Sequence, residues 1–110
     1  MRKPDYRSFK SGQVHHVYIR GKAGWVIFYS IEDCIIFYTL YMTLARKYGI
    51  TVFALCIMPN HIHAAESAPD ESSFIEFHIL LESLFAREYN CRHGRTGRLF
   101  DKPFGFMRVH

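Results

Sequence analysis

The stretch Thr51-Val52-Phe53-Ala54-Leu55-Cys56-Ile57-Met58-Pro59-Asn60-His61-Ile62-His63-Ala64-Ala65-Glu66 decides how this 110-residue chain is read. Thr51 to Met58 is apolar on both faces, as a central strand covered on two sides would be. Pro59-Asn60 ends it with a turn, and His61 to Glu66 is the hairpin partner. Side chains alternate along a strand, so His61 and His63 share one face while Ile62 points the opposite way. Two imidazoles on one face can hold a divalent cation through two nitrogens, with other ligands supplied from elsewhere.

Upstream, Val14 to Arg20 is a strand rich in Val, Ile and Tyr, with His16 and Tyr18 on one face and His15, Val17 and Ile19 on the other. Trp25 to Tyr29 reads as a short return strand. Ser30 and Asp33 resemble a capping box, after which Cys34, Phe37, Tyr38, Tyr41, Leu44, Ala45 and Tyr48 recur at helical spacing until Gly49. Downstream, Ser73 with Glu76 offers a second capping box, and Phe74, Phe77, His78, Leu81, Leu84 and Phe85 continue in helical register to about Tyr89. Asn90 to Arg98 is basic, contains Gly94 and Gly97, and reads as a loop; Phe104 to Val109 reads as a last strand.

The order strand, helix, strand, strand, helix, strand is the βαββαβ arrangement of the α+β, ferredoxin-like split βαβ fold. Such a fold has an antiparallel four-stranded sheet with both helices on one face. The other face stays open, and its third strand lies beside its first, which would bring His16 close to His61 and His63. One domain over residues 1–110 follows from the length and from a 49% hydrophobic composition.

The longest apolar run, Val52 to Met58, is too short to span a bilayer, and the N-terminus lacks an apolar signal region. Three cysteines, with no CxxC pairing, argue against a disulfide framework or a thiolate zinc site and fit a reducing cytoplasm. The net charge of +4 is unevenly spread. Lys and Arg concentrate before residue 23 and after residue 86, while the middle is acidic, a segregation that suits a polyanion lying across one face. Arg92, Arg95, Arg98 and Lys102, with His93 and Phe100 between them, are the densest basic stretch; Arg20 and Lys22 extend it as candidate DNA-binding positions.

The run Ala54 to His63, ending Met58-Pro59-Asn60-His61-Ile62-His63, resembles the signature of the single-tyrosine HUH transposases, the REP-associated and IS200-like group. Val17 to Gly21, Ala45 to Gly49, and Tyr89-Asn90 followed by Gly94 to Phe100 resemble the family's first strand, the end of its first helix and the basic loop before its last strand. Residues 1 to 12 match nothing in it. The resemblance implies cleavage and rejoining of hairpin-forming single-stranded DNA through a metal-assisted phosphotyrosine mechanism. It further implies Mg2+ or Mn2+ on His61 and His63, a homodimer, and a prokaryotic, nucleoid-associated location.

In that family the nucleophilic tyrosine sits on a helix after the last strand. The chain is therefore read as stopping before that helix, with the nucleophile beyond His110 and no catalytic tyrosine assigned. Tyr89, on a covering helix, reads as a structural aromatic, and Tyr18 as a packing residue. His16 is a candidate orienting residue beside the metal pair or a packing and hydrogen-bonding residue, and His78, a core histidine or an interface residue, is left unassigned. The alternative reading is a non-catalytic, ferredoxin-like nucleic-acid-binding module derived from such a transposase.

Overall fold

A computed structural model describes residues 9–101 and 105–108. It contains β1 (His15–Arg20), α1 (Ile31–Tyr48), β2 (Thr51–Met58), β3 (His61–Ser67), α2 (Glu71–His93) and β4 (Gly105–Arg108). β3 pairs antiparallel with β2 on one side and with β1 on the other. Both helices lie against one face of this sheet. The C-terminal expectation, a strand from Phe104 to Val109, lies partly outside the described residues; its described part, Gly105–Arg108, pairs antiparallel with β1 and gives the strand order β2-β3-β1-β4.

Local chemistry sets the ends of both helices. The Ser30 hydroxyl accepts from the Asp33 amide at the start of α1, and Gly49 closes the helix in the left-handed conformation at φ 71°. For α2 the cap is Asp70, whose carboxylate accepts from the Ser73 amide at 2.7 Å, and not Ser73 itself. The helix continues past Tyr89 through Asn90, Cys91, Arg92 and His93 to a left-handed Gly94. The first half of the expected loop is thus helical: Asn90 and Arg92 are tolerated in a last turn, and Gly94 is the stop.

Two further expectations are corrected. Among the described residues Trp25 to Tyr29 pairs with no strand; it is an extended crossing in which the Ile27 and Phe28 amides both donate to the Pro59 carbonyl, at 2.8 and 3.0 Å. β2 is an edge strand, not a doubly covered one: none of its residues is buried, and Phe53 is 59% exposed at a register shift between Val52 and Ala54. Its outward apolar residues Phe53, Cys56 and Met58 face solvent.

The core lies between the sheet and the helices. Val17, Ile19, Ile62 and Ala64 from the sheet meet Phe37, Tyr41 and Leu44 of α1 and Phe74, Phe77, Leu81 and Phe85 of α2, all buried. Phe85 stands edge-on to Phe37 at 5.1 Å, and Phe77 edge-on to Tyr41 at 5.3 Å. Burial of each such side chain contributes about 1.5–3 kcal/mol relative to exposure.

One charged group is enclosed with them. Glu66 is fully buried on the helix side of β3; its carboxylate accepts from the Tyr41 hydroxyl of α1 through one oxygen and is paired with His78 Nε2 of α2 through the other. Burial, then the Glu66 charge, pushes the Tyr41 hydroxyl far above its ordinary pKa, so it remains a donor. The expectation that His78 is a core histidine agrees with this position.

Candidate metal and nucleic-acid site

The uncovered face carries the other half of β3. The Pro59-Asn60 turn sends the strand back with His61 and His63 outward and Ile62 inward, and β1 beside it brings Tyr18 opposite His63 and Arg20 opposite His61. Across β2, Cys56 stands opposite His63 and Met58 opposite His61. His61, His63, Asn60, Tyr18, Arg20, Gly24 and Asp101 together line an open hollow of 390 Å³. A larger groove, 650 Å³, lies between the outer sides of α1 and α2 around Ile35, Leu40, Leu84 and Cys91. It gathers no convergent imidazoles, so the chemistry is assigned to the smaller hollow.

The ring nitrogens within that hollow are arranged as a relay. Asn60 Oδ1 lies 2.7 Å from His61 Nδ1; an amide oxygen only accepts, so Nδ1 bears the proton and Nε2 presents its lone pair. That Nε2 faces His63 Nε2 at 2.9 Å, and the His63 Nδ1 in turn lies 3.2 Å from His16 Nε2. When His63 Nδ1 donates to His16, two bare nitrogens face each other. A proton on one of them, or a metal bound beside both, removes the lone-pair repulsion. Two ligands at right angles about a divalent ion with bonds of about 2.0–2.1 Å stand about 3 Å apart, close to the observed separation. The residues fit such an ion.

His63 titrates below the ordinary imidazole range, through burial first and then the neighbouring His61 and His16 charges. It is therefore neutral near pH 7, the form that ligates metal. Among the described residues no group of three or more His, Cys, Asp or Glu converges on one ion. Tyr18 stands edge-on to His63 with ring centres 5.7 Å apart.

The basic residues divide. Arg20 is exposed on the rim of the hollow. Lys22 and Arg95 come together over Trp25, with Lys22 Nζ 5.2 Å and Arg95 Cζ 5.5 Å from the ring centre. Arg98 is exposed. Arg92 departs from expectation: as part of α2 it turns inward, 2.6 Å from the fully buried Asp33 and 2.8 Å from Glu88, so its charge is engaged in joining the end of α2 to the start of α1. Burial pulls the Asp33 pKa upward, but hydrogen bonds from His93 and Arg92 more than offset it and the pKa is lowered. Lys102 lies outside the described residues. His16 stands where alternation places it, against His63, while Tyr89 is buried and stacked on His93 at 4.1 Å.

Trp25 was missed by sequence reading, because an aromatic beside Val26 and Ile27 reads as strand. Among the described residues, no helix is long and apolar enough to cross a membrane.

No family model and no curated protein sequence matches the chain. Two solved structures do match in three dimensions. One is a REP-associated tyrosine transposase bound to a REP hairpin, with a TM-score of 0.69 at 11% identity, covering 100% of this chain and 63% of that one. The other is a Deinococcus radiodurans R1 protein described as a transposase, with a TM-score of 0.72 at 18% identity, covering 100% of this chain and 87% of that one. This chain thus spans less than two thirds of the first protein's length. At these identities the likeness is one of architecture: the chain has the α+β fold of these two transposase structures, two helices on an antiparallel sheet.

Proposed function

We propose that this chain is the DNA-binding and metal-binding body of a single-tyrosine HUH transposase, a ferredoxin-like split βαβ domain acting on hairpin-forming single-stranded DNA. One observation carries the reading: His61 Nε2 and His63 Nε2 face each other at 2.9 Å on the uncovered side of the sheet, each ring held from behind by Asn60 or His16. The fold it shares with a transposase bound to a REP hairpin supports the reading.

In this reading His61 and His63 hold Mg2+ or Mn2+, and His16 and Asn60 fix their orientation. The ion, when bound, polarises a phosphate and stabilises negative charge on its oxygens. Arg20, Arg98 and the Lys22–Arg95 pair hold backbone phosphates, with Lys102 a further contact; Arg92 is left to its ion pairs. A tyrosine attacks phosphorus, giving a 5′-phosphotyrosine and a free 3′-hydroxyl, and attack by a 3′-hydroxyl restores the phosphodiester and releases the tyrosine. Assembly is as a homodimer, in the cytoplasm with the nucleoid.

The test is binding of a fluorescent DNA hairpin with a single-stranded tail, followed by anisotropy with Mn2+ and with EDTA. The expected result is affinity that falls steeply with salt and is raised by Mn2+, the Mn2+ increment vanishing in His61→Ala and His63→Ala. Identical binding with and without Mn2+, in wild type and both variants, would replace the enzyme reading with the non-catalytic nucleic-acid module.

A further inference from the structure

Trp25 is the single tryptophan of the chain and is 45% exposed, in a fold that buries most of its large aromatics. Two cations from distant parts of the sequence meet at its ring, Lys22 from the turn after β1 and Arg95 from the loop after α2, at 5.2 and 5.5 Å. Among the described residues neither is ion-paired with a carboxylate.

The segment that presents the ring is fixed to the histidine turn by its backbone. The Gly21 amide donates to the Asn60 carbonyl at 2.9 Å, and the Trp25 amide to the Lys22 carbonyl at 3.0 Å. Ala23 is held in the left-handed region at φ 54° with its amide on Asp101 Oδ1 at 3.1 Å. A side chain at Gly21 would bring a Cβ within 2.3 Å of the Trp25 carbonyl oxygen, so the approach is one that only glycine permits. Gly24, next to Trp25, lines the histidine hollow. An aromatic face, two unneutralised cations and a preset backbone at the mouth of a cation-ready hollow match what a single strand needs: a π surface for one base and positive charge for the adjoining phosphates. Because the backbone is already fixed, little ordering cost remains to be met on binding.

We infer that Trp25 is a stacking platform for one unpaired nucleobase of a single-stranded DNA, with Lys22 and Arg95 neutralising the neighbouring phosphates as the strand runs on into the His61–His63 hollow. The inference rests on the reading of the open face as a DNA site and names the subsite for its unpaired part.

The experiment compares a hairpin carrying a single-stranded tail with the same hairpin made blunt, reading both anisotropy of labelled DNA and the protein fluorescence excited at the red edge where tyrosine does not absorb, which reports Trp25 alone. Expected is quenching of Trp25 by the tailed hairpin and much less by the blunt one. Trp25→Ala should weaken tailed-hairpin binding about 5- to 150-fold, Trp25→Phe much less, and Lys22→Ala or Arg95→Ala should each lower the slope of log affinity against log salt by about one. Trp25→Phe keeps the test valid should Trp25→Ala fail to fold, because the fluorescence of wild type and the affinity of the phenylalanine variant are read independently of it. If the tailed hairpin binds but leaves Trp25 fluorescence unchanged, the platform is overturned while the DNA reading stands. If wild type binds neither hairpin, both fall together.

Discussion

On the covered side of β3, Glu66 is fully buried and closed off by Tyr41 from α1 and His78 from α2. Three residues earlier on the same strand and on the other side, His63 is half-buried and shares its nitrogens with His61 and His16. Both clusters consist of hydrogen-bonded ionisable groups. They differ in what remains over: the carboxylate's oxygens are each taken by a helix, whereas the imidazoles bring two nitrogens to 2.9 Å of each other beside solvent. A buried charged group with all partners supplied by the fold holds elements together. A convergent pair with open access is available to a ligand.

That contrast can be broken from the covered side first. Glu66→Ala should cost about 3–5 kcal/mol in urea denaturation, because it strands a buried hydroxyl and a buried imidazole on two different helices. A loss under about 1 kcal/mol would mean that this network does not bind helices to sheet.

Glu82 on α2 gives a smaller and pH-dependent effect. Burial pushes its carboxyl up to about 7 from an ordinary 4.5, eased by the charge of His78. The folded chain therefore holds that proton more tightly than the unfolded chain does. Its contribution to stability is complete below pH 4.5, declines as the pH rises, and is gone above about 7. Glu82→Gln should be more stable than wild type by about 1–3 kcal/mol at pH 8 and equal to it at pH 4, in thermal melts at the two pH values. Equal stability at pH 8 would contradict the raised value.

The open side should behave oppositely, with small effects on stability and large ones on ligands. Asn60→Ala removes the acceptor that orients His61 and should cost about 1 kcal/mol in stability, while lowering Mn2+ affinity about 10- to 100-fold by calorimetric titration. His61→Ala and His63→Ala should each shift stability by no more than about 1 kcal/mol, the worth of the hydrogen bonds they remove. A loss of several kcal/mol from either would make the pair structural and erase the contrast between the faces.

The two faces were not equally legible in the sequence. Alternation placed His61 and His63 on one side of their strand and Ile62 on the other, because period-two geometry is local to each strand; that His16 joins them followed from the expected pairing of the first and third strands. The Ser30 cap and the Gly49 stop were legible for the same reason. Glu66 was read only as the end of a hairpin strand: that it lies under both helices depends on their packing, which no local pattern encodes. β2 looked central because Phe53, Cys56 and Met58 make it apolar on both faces, yet strand order is settled by pairing, and those side chains stay exposed at the edge. Arg92 looked like part of a basic loop until α2 was extended by a turn, which aims it at Asp33, nearly sixty residues away. Trp25 was hidden by neighbours that mimic a strand, and its two cations come from separate loops.

The claim that two imidazoles form a cation seat is tested most directly by electron paramagnetic resonance of Mn2+ bound in the presence of hairpin DNA, read for couplings to nitrogen. Wild type should give couplings to two imidazole nitrogens, His61→Ala and His63→Ala one at most, and the double variant none. Mn2+ bound without nitrogen coupling in the wild type, or couplings that persist in the double variant, would contradict it.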